Sequence, residues 1–368
     1  MKQVIFFHPY FSDGGVERTN LGLAKGLIES GYKVTFLTTS YTNHFMKEIK
    51  ELNIEFISLG DKKVSFCVFD VVNYLNKISG NQKIYFISCQ YYVNIFSMIA
   101  SFIVKNRKNI KFINAERNHM NEFLLKQGIK NKLLSYLIKY FYKFSDLIIA
   151  NSQETANDLS AYIGMDVKFS YNPTINTRVD NLKNEPINEK WFLEDNRETI
   201  ISIGRLTYQK DLMTLVKAYQ LFDNKKQYKL VILGDGELRE ELECFIEKNN
   251  LKNDVYLPGF EKNPYKFLNQ SSLFVLSSVY EGLPNVLIEA LYLGIPAIST
   301  KCKSGPAEIL IDERLLVDVG DYKSMVKKME FMLNNKNEAY KLLNKAFTQL
   351  DRFKYENSVK SFIKVIEK

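Results

Sequence analysis

Short apolar runs rich in Val, Ile, Phe and Leu alternate along the chain with longer stretches whose apolar residues recur every three to four positions. In the first half the runs fall at residues 4–8, 34–38, 54–59, 84–88, 111–114 and 147–150. Between the first two, Val16, Leu23 and Leu27, with Leu21, Ala24 and Ile28, recur at helical spacing. A second series of runs begins at 199–203 and continues at 229–233, 254–257, 273–276 and 296–300, with helical stretches at 212–222, 238–248, 264–269 and 286–293. Strand-length runs that alternate with helices predict parallel sheets, because each crossover from one strand to the next takes a helix. The last fifty or so residues read as helices alone. Residues 172–197 break the alternation with Pro173, Pro186, many Asn and Glu and little periodicity, which predicts a linker. The expected organisation is an N-terminal domain over 1–175, a linker over 176–198 and a C-terminal domain over 199–351. A closing helix over 352–368 completes the first domain.

Length and composition agree with that division. At roughly 150 residues per domain, 368 residues suggest two domains. A content of 46% hydrophobic and 25% charged residues is that of an ordinary globular protein, which excludes disordered and collagen-like chains. Cys67, Cys89, Cys244 and Cys302 stand far apart without a paired spacing, and read as reduced core thiols of a cytoplasmic protein. The apolar start is too short for a signal peptide. The longest apolar stretch, 91–104, would span only ~21 Å as a helix, short of a hydrocarbon core.

In two open parallel sheets, ligands bind beyond the carboxyl ends of the strands, so the loops there are the places to search. The first such loop contains Gly14 and Gly15 before a helix, where backbone N–H groups can meet an anion, although a tight turn needing glycine reads equally well. The next series opens with Gly204 and Arg205, then Lys210 just before a helix. Arg can grip a phosphate with two parallel hydrogen bonds, and Lys adds a compact charge. Gly234 follows the next strand, and Pro258, Gly259 and Phe260 form a turn whose backbone could meet a flat base. The stretch 281–289 carries Glu281, Gly282, Leu283, Pro284 and Glu289. Pro284 suits the first position of a helix, which would leave the Gly282 and Leu283 N–H groups for an anion. Glu289 would sit inside that helix, aimed at hydroxyls or paired.

Taken in order, these residues resemble the retaining glycosyltransferases of family 4, the group 1 transferases. The matching pieces are G-G-V-E-R at 14–18, S-D-L-I-I-A-N-S at 145–152, Y-N-P at 171–173, G-R-L-x-x-Q-K at 204–210, G-D-G-x-L-R at 234–239 and P-G-F at 258–260. E-G-L-P-N-V-L-I-E at 281–289, the family's E-x7-E element, and S-G-P-A-E-I-L at 304–310 complete the set. The resemblance implies an α/β chain of GT-B fold. Two Rossmann-like domains would place their parallel sheets across an inter-domain cleft, and the C-terminal helix would cross back to the first domain. It implies retaining, metal-independent transfer of a hexose or N-acetylhexosamine from a nucleotide sugar, taken as a UDP-sugar, with no cofactor and no metal.

By the same resemblance Arg205 and Lys210 would bind the donor diphosphate, Glu289 the ribose, and Glu281 the sugar near its reacting carbon. Gly14 and Gly15 would let the first loop reach the phosphate and acceptor, Gly282 and Leu283 would offer N–H groups, and Pro258 to Phe260 would neighbour the base. Two departures stand out. Where many members carry a histidine after the fifth strand, this chain has Glu116, Arg117, Asn118 and His119. His119 is the one titrating candidate there, and a structural role is equally open. The loop after 304–310 is cut to 311–314.

Charge adds a clue to the acceptor. The net charge is +8, and residues 101–150 alone carry ten basic against three acidic residues, a net +7. Residues 181–368 contribute only +1. A helix expected over 122–144 mixes Lys126, Lys130, Lys132, Lys139 and Lys143 with Tyr136, Tyr140, Phe141, Tyr142 and Phe144. Such a face suits an anionic membrane surface or a lipid-diphosphate acceptor, while a solvated face over a buried aromatic core is the plainer reading. No nucleic-acid motif is present. The expected acceptor is a lipid-linked or cell-surface glycan precursor such as lipopolysaccharide or capsule. The expected location is the cytoplasm, with peripheral contact to the inner membrane as an option. Two other functions stay open: a non-catalytic partner subunit that binds nucleotide sugars, and a GT-B nucleotide-sugar 2-epimerase.

Overall fold

The computed structural model describes residues 2–11, 14–43, 45–80, 82–119 and 129–368. The chain divides into two compact units, one of residues 1–173 with 353–368 and one of residues 174–352.

The first unit holds a seven-stranded, all-parallel sheet: β1 (Gln3–Phe11), β2 (Lys33–Tyr41), β3 (Glu55–Ser58), β4 (Ile84–Cys89), β5 (Ile110–Glu116), β6 (Leu147–Ala150) and β7 (Lys168–Phe169). Their order is β3-β2-β1-β4-β5-β6-β7. Val4, Ile5, Phe6 and Phe7 are all buried, with Val4 and Phe6 in one core and Ile5 and Phe7 in another. A strand covered on both faces needs an unbroken apolar run, which is why these strands stood out in the sequence. The helix Tyr355–Glu367 belongs to this unit. Its Val359, Phe362 and Ile366 enter the core beside Val4 and Phe6, and the Phe362 ring stacks on Phe6 at 6.5 Å. Glu367 near its end bonds Lys2 and the Tyr32 hydroxyl. Lys111 Nζ donates to the Ile366 carbonyl at 3.0 Å.

The second unit holds a six-stranded parallel sheet: β8 (Glu198–Ile203), β9 (Tyr228–Leu233), β10 (Val255–Gly259), β11 (Leu273–Leu276), β12 (Ala297–Thr300) and β13 (Leu316–Val317). The order is β10-β9-β8-β11-β12-β13. Two Rossmann-like parallel sheets thus stand in the two units, as expected.

Several expectations need adjustment. Residues 176–198, read as a linker, carry the helices Thr177–Leu182 and Lys190–Leu193 and cluster with the second unit. Polar anchors pin this stretch. Buried Lys229 on β9 donates to the Phe192 and Asp195 carbonyls at 2.9 and 2.6 Å, and Lys266 pairs with Glu189 at 2.6 Å. Arg197 bridges Asp195 and Asp254. Cys244 is exposed rather than a core thiol, because Leu242 and Ile246 take the inward face of the helix Arg239–Lys248. The helix expected over 122–144 is observed as Ile129–Phe141 with a short turn Tyr142–Phe144, and its first residues, Lys126 included, lie outside the described residues, as does the Lys130 side chain. No described helix is long and apolar enough to cross a membrane.

Candidate active site

The winding of the second sheet reverses between β8 and β11: from β8 the chain proceeds outward to β9 and β10, then returns to lay β11 on β8's other side. The loops after β8 and β11 therefore diverge from adjacent strand ends and open a crevice, where open α/β sheets place ligands. Most of the residues picked out in this unit lie around it. Val279 N–H donates to the Gln209 carbonyl at 2.8 Å, and the Gln209 side chain donates to the Tyr280 carbonyl at 3.1 Å. These bonds stitch the two loops together and bring Lys210 Nζ to 2.6 Å from Glu281 Oε1. Glu281 is buried, and the Ser278 hydroxyl donates to the same oxygen at 2.6 Å. Arg205, four residues before Gln209, is exposed.

The loop after β12 supports Glu281 from behind. Glu281 N–H donates to the Lys303 carbonyl at 2.6 Å, Ser304 N–H returns a bond to the Glu281 carbonyl at 3.2 Å, and the Ser304 hydroxyl reaches the Gly282 carbonyl at 3.1 Å. The S-G-P segment thus fixes the backbone of the E-G-L-P loop. Gly282 and Leu283 are buried, and their N–H groups donate to no partner among the described residues. Two unsatisfied donors beside a buried carboxylate–ammonium pair form a ready place for anionic oxygens. Pro284 lies one place earlier than predicted. It caps the helix Asn285–Tyr292 with an extended ψ of 95°, and its carbonyl accepts the Leu287 N–H at 3.1 Å. Glu289, half-buried in that helix, accepts the Tyr265 hydroxyl at 3.1 Å.

Gly204 and Gly234 sit against each other at the ends of β8 and β9. A Cβ on Gly234 would lie 1.9 Å from the Gly204 carbonyl oxygen, and one on Gly204 would lie 3.1 Å from Lys210 Cε. Gly234 N–H donates to the Gly259 carbonyl at 2.8 Å, which places the Pro258–Gly259 turn next in the row. Phe260 follows with its ring half exposed.

The first unit has its own switch point, between β1 and β4. Gly14 caps the helix Gly15–Glu29, and a Cβ there would meet the Glu17 carboxylate at 2.4 Å, whereas Gly15 has nothing within 4 Å. Below this point lies a buried polar cluster. The Arg117 guanidinium donates to the side-chain oxygens of Asn20 and Asn172, each at 3.0 Å, and the Asn20 amide lies 3.1 Å from His8 Nε2. His119 is buried and paired through Nε2 with Asp158 at 2.7 Å. A cavity of about 640 Å³ opens beyond the ends of β1 and β2, with Tyr10, Ser40, Lys63, Ser65, Tyr92 and Phe96 in its wall. Among the described residues no group of three or more His, Cys, Asp or Glu side chains could hold a metal ion.

Burial, with the Arg117 cation second, pushes the His8 imidazole down to about 3. Its folded value lies below the unfolded value near 6.5, so the unfolded chain takes the extra proton on acidification. The stability is full above pH 6.5 and is lost progressively as pH falls towards 3. At pH 5 the loss is about 2 kcal/mol. Asp195, held at about 2 by Arg197, loses its contribution only below about pH 4. Urea midpoints at pH 7.5 and pH 5 should therefore differ in the wild type and converge in His8→Gln; an equal shift in both would remove His8 as the cause.

Tyr265 and Ser278 are not among the residues expected at the site, and Ser304 enters only as the first residue of the S-G-P-A-E-I-L piece. Ser278 could have been found, since a hydroxyl three residues before a loop carboxylate is in reach of it. Tyr265 could not, because it lies 24 residues from Glu289.

Residues 183–349 match the family described as "Glycosyl transferases group 1", and residues 13–173 match "Glycosyltransferase Family 4". One relative is an N-acetylgalactosamine-N,N'-diacetylbacillosaminyl-diphospho-undecaprenol 4-alpha-N-acetylgalactosaminyltransferase of Campylobacter jejuni. It is 34% identical over 271 residues, covering 68% of this chain and 72% of that protein. A second enzyme of that organism, an alpha-1,4-N-acetyl-D-galactosaminyltransferase acting on GalNAc-alpha-(1->4)-GalNAc-alpha-(1->3)-diNAcBac-PP-undecaprenol, is 28% identical across 100% of this chain and 98% of its own. An uncharacterized glycosyltransferase of Methanocaldococcus jannaschii is 42% identical over 226 residues, 60% of this chain, and the match spans 55% of that protein's length. Among solved structures, HepE of Anabaena in complex with UDP and glucose matches with a TM-score of 0.81 at 17% identity over 99% of each chain. At that identity the likeness speaks for the fold alone, and the fold is GT-B.

Proposed function

This chain belongs to the group 1, family 4 glycosyltransferases, and from that premise we propose that it transfers a hexose or N-acetylhexosamine, with retention, from a UDP-sugar to a lipid-linked or cell-surface glycan precursor. The observation that carries the donor side is the Lys210–Glu281 pair at the second sheet's switch point, beside the free Gly282 and Leu283 N–H groups. Support for the acceptor class comes from the two Campylobacter relatives, whose names specify undecaprenol-linked glycans.

In this reading Arg205, Lys210 and the two N–H groups bind the diphosphate and stabilise its growing charge as the bond from sugar C1 to phosphate oxygen breaks. The acceptor hydroxyl forms its new bond to C1 from the same face, and its proton passes to an oxygen of the departing phosphate. No protein nucleophile takes part. Glu281 contacts the transferring sugar, and Glu289 holds the ribose hydroxyls. Pro258, Gly259 and Phe260 neighbour the base, with Gly204 and Gly234 shaping the floor. Gly14 and Gly15 present backbone to the acceptor in the first unit, where His119 is a buried ring held by Asp158. Retained Glu281, Glu289, Arg205 and Lys210 favour an enzyme over a binding subunit. The work is cytoplasmic in this reading and needs neither cofactor nor metal.

The test is a panel of UDP- and GDP-sugars offered with lipid-diphosphate glycans, read by mass spectrometry and by the anomeric configuration of the product. Transfer with an α-linked product from an α-linked donor is expected, and it should persist in EDTA. Donor binding without turnover on any acceptor would favour the subunit instead, and loss of turnover in EDTA would overturn the metal-free reading. Tyr265→Phe removes the hydroxyl that orients Glu289 and should raise the donor KM by about three- to tenfold at nearly constant kcat, the net worth of one ordinary hydrogen bond. An unchanged KM would detach Glu289 from the ribose.

A further inference from the structure

The basic segment of the first unit resolves into a built surface. Among the described side chains of the helix Ile129–Phe141 and the turn after it, the exposed positions are Lys132, Leu133, Tyr136, Lys139, Tyr140, Lys143 and Phe144, a spacing that keeps them on one face about 18 Å long. The opposite face is spent on packing: Ile138 and Tyr142 are buried with Ile95, Ala156 and Leu159. The sequence left open whether the aromatics of this segment were core or surface, and they divide. Tyr142 is inside, while Tyr136 and Tyr140 are 63% and 60% exposed and Phe144 is 41% exposed.

The outward aromatics do not stand singly. The Phe144 ring meets Phe102 edge-on at 4.9 Å and Tyr140 at 5.7 Å, so the end of the helix Tyr91–Ile103 joins the same ridge. Phe102 and its neighbour Ile103 are 57% and 42% exposed. Lys105 and Lys108 flank that end and are exposed. Residues 129–145 contain no carboxylate at all, and the nearest one in sequence, Asp146, is held by Arg107 at 2.8 Å. A contiguous apolar ridge is uncommon on a surface that meets only water. A ridge edged by five lysines, without interleaved acids, is complementary to a negatively charged plane that also accepts aromatic rings.

We propose that this face, formed by Phe102, Ile103, Leu133, Tyr136, Tyr140 and Phe144 with Lys132, Lys139 and Lys143, docks on the headgroup region of an anionic lipid bilayer. The rings enter the interface, where amphipathic tyrosines are favoured, and the lysine stems lie along the apolar ridge with their ammonium groups at the phosphates. The chain rests on the bilayer without spanning it. The proposal stands apart from the donor chemistry, since neither a nucleotide sugar nor an acceptor takes part in docking.

The experiment uses the full chain and vesicles of phosphatidylcholine alone or mixed with phosphatidylglycerol, free of acceptor, read by co-sedimentation. Binding is expected to the mixed vesicles only, falling as salt rises. Replacing all three lysines together (Lys132→Gln, Lys139→Gln and Lys143→Gln) should weaken it about a hundredfold. Phe102→Ser with Tyr140→Ser should weaken it as well, with melting temperature and donor hydrolysis in vesicle-free buffer unchanged in both variants. Wild-type protein that ignores the mixed vesicles, or binds both kinds alike, would overturn the proposal. So would a triple glutamine variant that binds as wild type, or self-association through this face in place of vesicle binding, which would assign it to a second copy.

Discussion

Replacing Lys210 by alanine should lower kcat/KM by about a hundred- to a thousandfold, the range seen when one preorganised group is removed from a developing anion. Two separable effects contribute. The first is the loss of a cation at the leaving diphosphate. The second is structural: Glu281 is buried, and without the ammonium 2.6 Å away its Oε1 keeps only the Ser278 hydroxyl. Breaking a buried pair by deleting one partner costs about 3–5 kcal/mol, an upper bound here because the Lys210 side chain retains 17% exposure. The double variant Lys210→Ala with Glu281→Gln removes the stranded charge and should recover most of the lost melting temperature without recovering turnover. Turnover within tenfold of wild type in folded Lys210→Ala would sink the leaving-group assignment. Recovery of turnover in the double variant would show that the loss came from Glu281 alone.

That pair marks the limit of what the sequence could disclose. Lys210 and Glu281 lie 71 residues apart, and each alone reads as an ordinary surface or loop charge. They meet because β11 returns to the side of β8 opposite β9, a fact of strand order that no local pattern carries. The strands themselves were legible for a physical reason. In a parallel sheet covered on both faces the whole run must be apolar, so β6 and β11 were bounded to the residue, while the two-residue strands β7 and β13 left no periodicity to read. The helix Val68–Ile78 is absent from the expected elements although Val68, Val71, Val72 and Leu75 repeat at helical spacing and are buried.

Elsewhere, polar anchors hide structure from a hydrophobic pattern. The stretch 176–198 looked like a linker because Lys229, Lys266 and Arg197 fasten it through carbonyls and carboxylates. The division of the aromatics in 136–144 between core and surface was likewise hidden, since Tyr and Phe satisfy either side of a helix. What decided it was the packing of Ile138 and Tyr142 against Ile95 and Leu159.

Glycine offers the second large effect, because one substitution separates the two reasons a loop can need it. Gly234 has φ +140°, and its Cβ would lie 1.9 Å from the Gly204 carbonyl oxygen and 2.8 Å from its carbon. That carbonyl cannot withdraw cheaply, for Gly204 N–H is tied to Leu233 at 2.9 Å at the end of the β8–β9 ladder. Gly234→Ala should therefore cost about 3 kcal/mol or more in strain and overpacking. In a unit of this size that lowers the melting temperature by roughly 10 °C. Because Gly204 packs against Lys210, turnover should fall too, through displacement of the cation. Gly15→Ala is the opposite case. Nothing lies within 4 Å of its Cβ, and it opens the helix Gly15–Glu29, where alanine is the better helix former, so stability should hold or rise by up to about 1 kcal/mol. If Gly15→Ala melts normally and still loses transfer, the glycine serves a substrate that approaches the backbone closely. Full activity in that variant would return the first loop to the reading of a tight turn, with Gly14 and its contact to Glu17 as the reason glycine is needed there.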